Sequence, residues 1–177
     1  MVETKVTPEA VQGKNIVFMV RKYADRKTKA ASSVIFQTDY GRSLSADSDA
    51  TATKDGNVNT SKPASTEVTA SLILSIQDDL IDALEDACQN GDLLEIWEIN
   101  LQKPTTLVGT KPMKYKGKYM QGTLTSFELS AKADDLATYD STFSINGKPQ
   151  KGEVTVSKEN QAEIDYVFAD TTAAPLV

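Results

Sequence analysis

The chain has 177 residues, a formal charge of −6, one cysteine and no histidine. That length suits one domain with a real core. The lone Cys88 excludes an internal disulfide, the missing histidines remove imidazole metal sites and the usual nucleophilic triads, and the acidic balance argues against general electrostatic binding of nucleic acid.

The opening MVETKVTPEA lacks the charged start and apolar run of an export signal, and the apolar run Ile16 to Val20 is far too short to span a bilayer, so a protein neither membrane-spanning nor exported is expected. Residues 1–13 are polar and carry Pro8, which reads as an N-terminal arm. NIVFMVRKY, from Asn15, then has the composition of a strand covered on both faces. The basic stretch Ala24 to Ser32 reads as a connection. Val34, Phe36, Thr38 and Tyr40 alternate with Ser33, Gln37 and Asp39 as a second strand, which could pair with the first as its neighbour.

From Gly41 to Ser65 the chain is almost wholly small and polar. It forms either a long loop or an extended hairpin about Asp55-Gly56, and it is the first place to seek a partner-binding element. From Thr66 to Ile76 apolar residues fall on even positions, Val68, Ala70, Leu72, Leu74 and Ile76, the period of a half-buried strand. At Gln77 the spacing changes, and Leu80, Ile81, Leu84, Ala87 and Cys88 recur at helical intervals until Asn90-Gly91 supplies a left-handed stop. A helix over about 77–90 follows, with Cys88 as a small buried hydrophobe. So short a helix is marginal alone and must lean on a sheet.

DLLEIWEINL, from Asp92, is the strongest strand of the second half, and Lys118 to Leu129 is another, with Gly122 marking a bulge. Between them Gln102 to Gly117 reads as a loop, and Ala131 to Thr138 as a helical turn. Tyr139 to Ile145 and Glu153 to Val156 flank Asn146-Gly147-Lys148-Pro149, the pattern of two strands paired about a bend. Periodicity fades after Ser157, leaving a C-terminal arm at 158–177 that includes one further short strand candidate, Ile164 to Phe168. The sum is a mainly β protein: a sandwich or barrel-like domain over residues 14–157, of about seven to nine strands, with one flanking helix and a long inter-strand loop at 41–65. Phe18, Leu72, Leu74, Leu80, Leu84 and Trp97 are its expected core anchors.

Carboxylate chemistry finds no site. Glu95 and Glu98 stand three apart on a strand, which turns them to opposite faces. The segment from Asp55 matches a calcium loop at its first, third and fifth residues but lacks glycine at the sixth and glutamate at the twelfth. No phosphate-binding glycine loop exists, and Asn59-Thr60-Ser61 is a chance sequon without an export signal. No enzyme, cofactor or metal is expected. The charge is unevenly spread: between Lys62 and Lys103 there is no base, while Glu67, Asp78, Asp79, Asp82, Glu85, Asp86, Asp92, Glu95 and Glu98 all fall there. Bases gather at Arg21 to Lys29 and Lys111 to Lys118. These are either solvated faces or faces of opposite sign suited to a head-to-tail contact between copies.

Taken in order, PEAVQGKNIVFMVR, ATKDGNV, LLEIWEI, YMQGTLTSFE and FSINGKPQKGEVTV resemble the major tail protein family of long flexible-tailed bacteriophages of the lactococcal siphovirus type, over about Pro8 to Val156. The resemblance implies a virion protein made in the bacterial cytoplasm: a β-sandwich tail-tube subunit that closes into hexameric rings stacked head-to-tail. Genomic DNA would cross the lumen without specific binding, and tape measure and terminator proteins would be further partners. It implies no cofactor and no membrane. The polar loop, with Asp47, Asp49, Lys54, Asp55, Gly56 and Asn57, becomes the candidate inter-ring element, and the terminal arms would order on assembly. The acids of the helical segment become candidates for a subunit contact or a non-adhesive channel wall, with the helix beside the sheet rather than lining the bore. The rival readings are a monomeric carbohydrate-binding or adhesion module of the same fold, which needs an exposed aromatic platform or calcium site, and a terminator-like ring protein.

Overall fold

A computed structural model of the protein describes residues 10–33, 36–74, 79–105 and 113–156. Ten strands and one α-helix occur among them, rather than seven to nine strands. The strands are β1 (Ile16–Lys22), β2 (Ser32–Ser33), β3 (Gln37–Ser45), β4 (Ser48–Thr53), β5 (Gly56–Ser61), β6 (Ser65–Ile73), β7 (Leu93–Pro104), β8 (Lys114–Ser130), β9 (Thr138–Ile145) and β10 (Gln150–Thr155); α1 is Asp79–Asn90. Eight strands form one antiparallel sheet in the order β2-β1-β7-β8-β9-β6-β3, with β10 also on β8, and β4-β5 make a separate hairpin.

This sheet curls upon itself. β1 and β3 stand far apart in the strand order, yet the Phe18 N–H donates to Gln37 Oε1 at 3.1 Å and the Phe18 and Tyr40 rings lie 5.9 Å apart. The second strand divides: its start at Ser33, in β2, does pair with β1, whereas β3 pairs with β6 and meets β1 only through side chains. Inside the curl lies the main core, where Phe18, Leu72, Leu84, Leu94, Ile96 and Phe143 are all at most 2% exposed. The β1 strand is covered on both faces, because Met19 belongs to a second cluster with Ile99, Tyr115 and Val156.

Helix α1 packs against β8 and buries Ile81, Leu84 and Ala87, the stripe its spacing predicts, with Leu80 and Cys88 half-buried at its margin. Burial of Ile81 and of Leu84 contributes about 1.5 to 3 kcal/mol each. The helix ends where Gly91 turns left-handed at φ 67° and the Asp92 N–H reaches back to the Ala87 carbonyl at 2.9 Å. Its expected start at Gln77 lies outside the described residues, as do Val34, Ile76 and 158–177.

Four other expectations are corrected. Leu74 is 40% exposed, because β6 ends at Ile73 and Leu74 stands beyond the core's rim. Trp97 is half-buried beside the second cluster, since β7 turns its odd residues away from the main core. Gly122 is regularly paired with Leu94 and Ile145, and the irregularity of β8 falls at Leu124/Ser126. Its lack of a side chain serves close approach instead, as a Cβ there would lie 2.2 Å from the Ser144 carbonyl oxygen. Finally, β9 and β10 do not pair with each other. Both run antiparallel to β8, β9 along Gly122–Ser130 and β10 along Lys114–Tyr119. Residues 146–149 thus form an outward jog in one long strand, held by the Asn146 N–H on the Gln121 carbonyl at 2.7 Å.

Candidate functional site

The polar segment resolves as a hairpin. β4 and β5 pair from Ser48↔Ser61 to Thr53↔Gly56, so the turn residues are Lys54 and Asp55, one position earlier than an Asp55-Gly56 turn, and Gly56 takes φ 130°. The Lys62 N–H on the Asp47 carbonyl at 2.7 Å extends the ladder by one rung, and Lys62 Nζ meets Asp49 at 2.9 Å. The Ser45↔Ser65 pair of β3 and β6 follows almost at once, so the hairpin prolongs the β3–β6 ribbon with a break at Ala46 and at Pro63-Ala64. Every residue from Ser43 to Pro63 is exposed. Asn57 and Asn59 lie opposite Ala52 and Ala50 in an extended ladder, a geometry that cannot wrap a calcium ion.

Alternating small and β-branched residues form this ladder without a core because each backbone N–H and C=O on the inner edges is paired, while both faces stay wet. Thr51 and Val58 stand opposite one another on one face, and Ala50 and Ala52 oppose Asn59 and Asn57 on the other. Val58, 55% exposed, is the hairpin's one large apolar side chain.

The body holds the root of this ribbon through Glu98. Its carboxylate accepts the Tyr40 hydroxyl at 2.9 Å, Arg42 Nε at 2.7 Å and Lys118 Nζ at 2.6 Å, uniting β3, β7 and β8. Burial pushes the Glu98 carboxyl up, but the hydrogen bonds from Lys118, Arg42 and Tyr40 outweigh it and hold the group below the usual carboxylate range. Burial, with Glu98 beside it, drives the Tyr40 phenol far above its ordinary value. The hydrogen bond to Glu98 raises the Arg42 guanidinium further.

Glu95 faces the other way, as its spacing from Glu98 predicts. It is 5% exposed, accepts Arg21 Nε and Nη2 at 2.9 and 2.7 Å on one oxygen, and takes the Tyr119 hydroxyl at 2.8 Å on the other. Arg21 also covers the Trp97 ring, its guanidinium carbon 5.1 Å from the centroid. The bare aromatic platform a glycan-binding module needs is therefore not presented by Trp97. With Lys22 on Asp92 at 3.1 Å, three of the eight described acids in the acidic segment are paired with bases from elsewhere in the chain. Glu67 and the helix acids Asp79, Asp82, Glu85 and Asp86 remain exposed. Sequence spacing could not find the Glu98 cluster, because its donors come from positions 40, 42 and 118.

Residues 10–151 match the model of the family described as phage tail tube protein. The chain belongs to this family. It is a structural tail tube subunit, a component of the virion tail. The tail tube assignment agrees with a relative in Staphylococcus phage phiMR25, described as a tail protein, which is 34% identical over 148 residues covering 81% of this chain and 75% of that one. The fold is shared with the SPP1 tail tube protein, at a TM-score of 0.70 and 16% identity over 93% of this chain and 95% of that one. A tail subunit of a gene transfer agent particle gives 0.59 at 11% identity, covering 80% and 98%. The tube-terminating cap of the anti-feeding prophage gives 0.51 at 14%, covering 88% and 100%. Among the described residues no helix is long and apolar enough to cross a membrane.

Proposed function

We infer that tail tube subunits of this sequence close into hexameric rings that stack head-to-tail into the conduit for genomic DNA, and that the hairpin around Asp47, Asp49, Lys54, Asp55, Gly56 and Asn57 carries the contact between rings. The observation behind this reading is the hairpin itself: twelve strand residues, all exposed, prolong a ribbon of the body and bury nothing within their own chain. An exposed two-stranded element of that length gains its stability from a partner. Stacking identical rings needs two complementary faces, which is the open-ended form of heterologous assembly. Tape measure and terminator proteins are further partners of the finished tube. The exposed acids on α1, a helix beside the sheet rather than on the bore, suit a contact between subunits, and the acidic balance of the chain suits a conduit over which DNA slides without adhering. Negative-stain electron microscopy of concentrated protein tests the reading: rings and tubes are expected, and monomers persisting at every concentration would sink it.

A further inference from the structure

Large apolar side chains are exposed at seven described positions, and six of them lie at the two ends of the β3–β6 ribbon. Leu44 and Val58 belong to the hairpin end. At the opposite end stand Phe36, Leu74, Leu129 and Leu136, between 40% and 63% exposed. The backbone gathers these four: the Ile73 N–H donates to the Phe36 carbonyl at 3.1 Å, the Leu74 N–H to the Ala137 carbonyl at 2.9 Å, and Ile73, Thr138 and Ser130 form one row across β6, β9 and β8. Phe36 also holds a left-handed φ of 55°, a costly conformation for an aromatic residue, with its side chain 59% exposed.

We propose that this apolar end is the docking surface for the hairpin of a second copy, which seats its Thr51–Val58 face there; the assignment rests on the tube reading above and names the two surfaces it requires. The patches lie at opposite ends of one ribbon, separated by the nine residues of β3, about 30 Å of extended chain. No copy can join its own two ends, whereas successive copies join them indefinitely, and this is the geometry of head-to-tail stacking. Charge agrees with apolar match. The hairpin tip carries Lys54 and Asp55, and the turn beside Leu136 carries Lys132, Asp134 and Asp135, so each sign on one end finds its opposite on the other.

The test uses the full chain, beginning with microscopy of the wild type; a wild type that never assembles overturns the tube reading and the docking with it. Where wild-type tubes form, the double variant L129S/L136S and the variant V58D should each keep the wild-type melting temperature and lower the yield of pelleted tubes about tenfold or more. Unchanged yield overturns the docking and leaves the tube reading intact. A lowered melting temperature of monomeric L129S/L136S also overturns it, since the patch is then covered by the chain's own segments. In a C88S background, Val58→Cys combined with Leu136→Cys should give a ladder of intermolecular cross-links with a short bismaleimide in tubes. Normal tubes without that ladder refute the contact.

Discussion

The side-chain oxygen of Gln37 accepts the backbone N–H of Phe18 at 3.1 Å, and by that bond the curled sheet closes between strands that share no backbone ladder. A polar side chain at this seam satisfies a donor that β1 would otherwise leave unpaired inside the fold. Replacing Gln37 by Leu keeps the bulk and removes the acceptor. It should cost about 1 kcal/mol and speed hydrogen exchange at the Phe18 amide; unchanged exchange at that amide counts against the seam.

Glu98 makes stability depend on pH in a stated direction. Its folded-state pKa lies below the ordinary value, so its contribution is complete above the unfolded carboxylate's pKa of about 4.3 and is lost as pH falls through the folded value. Chemical denaturation between pH 7 and pH 3 should show wild-type stability falling in the acid range. Glu98→Gln should be less stable at neutral pH by about 2 kcal/mol and lose less on acidification. Parallel curves for the two proteins would contradict this.

Gly122→Ala places a methyl against the Ser144 carbonyl, where backbone rather than a movable side chain must give way. The expected loss is about 2 to 3 kcal/mol. Gly152→Ala, on β10 with nothing within 4 Å of the added carbon, is the control and should shift stability by less than about 0.5 kcal/mol. Equal midpoints in urea for both variants would discard the close-approach account.

Leu84, 2% exposed, fixes α1 on the main core. A carboxylate there cannot find a partner or water, and Leu84→Asp should unfold or aggregate the protein. Circular dichroism and solubility check this; a soluble variant with the wild-type melting temperature contradicts the packing.

Deleting Ser48 to Pro63 removes residues that are exposed throughout and leaves the main core untouched. The deleted protein should melt as the wild type does and form no tubes in negative stain. Tubes of normal length from it would end the case for the hairpin as the inter-ring element.

Much of the architecture was legible in the residues. The period of two over Thr66–Leu72, the switch to helical spacing through Leu80–Cys88 and the Asn90-Gly91 stop reappear in β6 and α1, because these patterns arise from local geometry that any folded context must respect. The segments from PEAVQGKNIVFMVR to FSINGKPQKGEVTV likewise carry the family likeness in their residues alone. Periodicity misplaced Leu74, since alternation says which way a residue points and not where the core stops. It misread residues 146–149 as a hairpin, since turn residues announce a departure from straight chain and leave the next partner undetermined.

The sequence alone determined the mainly β class, the helix, the acidic balance and the kinship, which are written in residue order and composition. Tertiary structure decided which strands meet, that three acids of the acidic segment are neutralised by distant bases, and that six exposed apolar residues divide between the two ends of one ribbon. Those are relations between residues far apart in sequence, set by how the sheet curls, and no spacing along the chain encodes them.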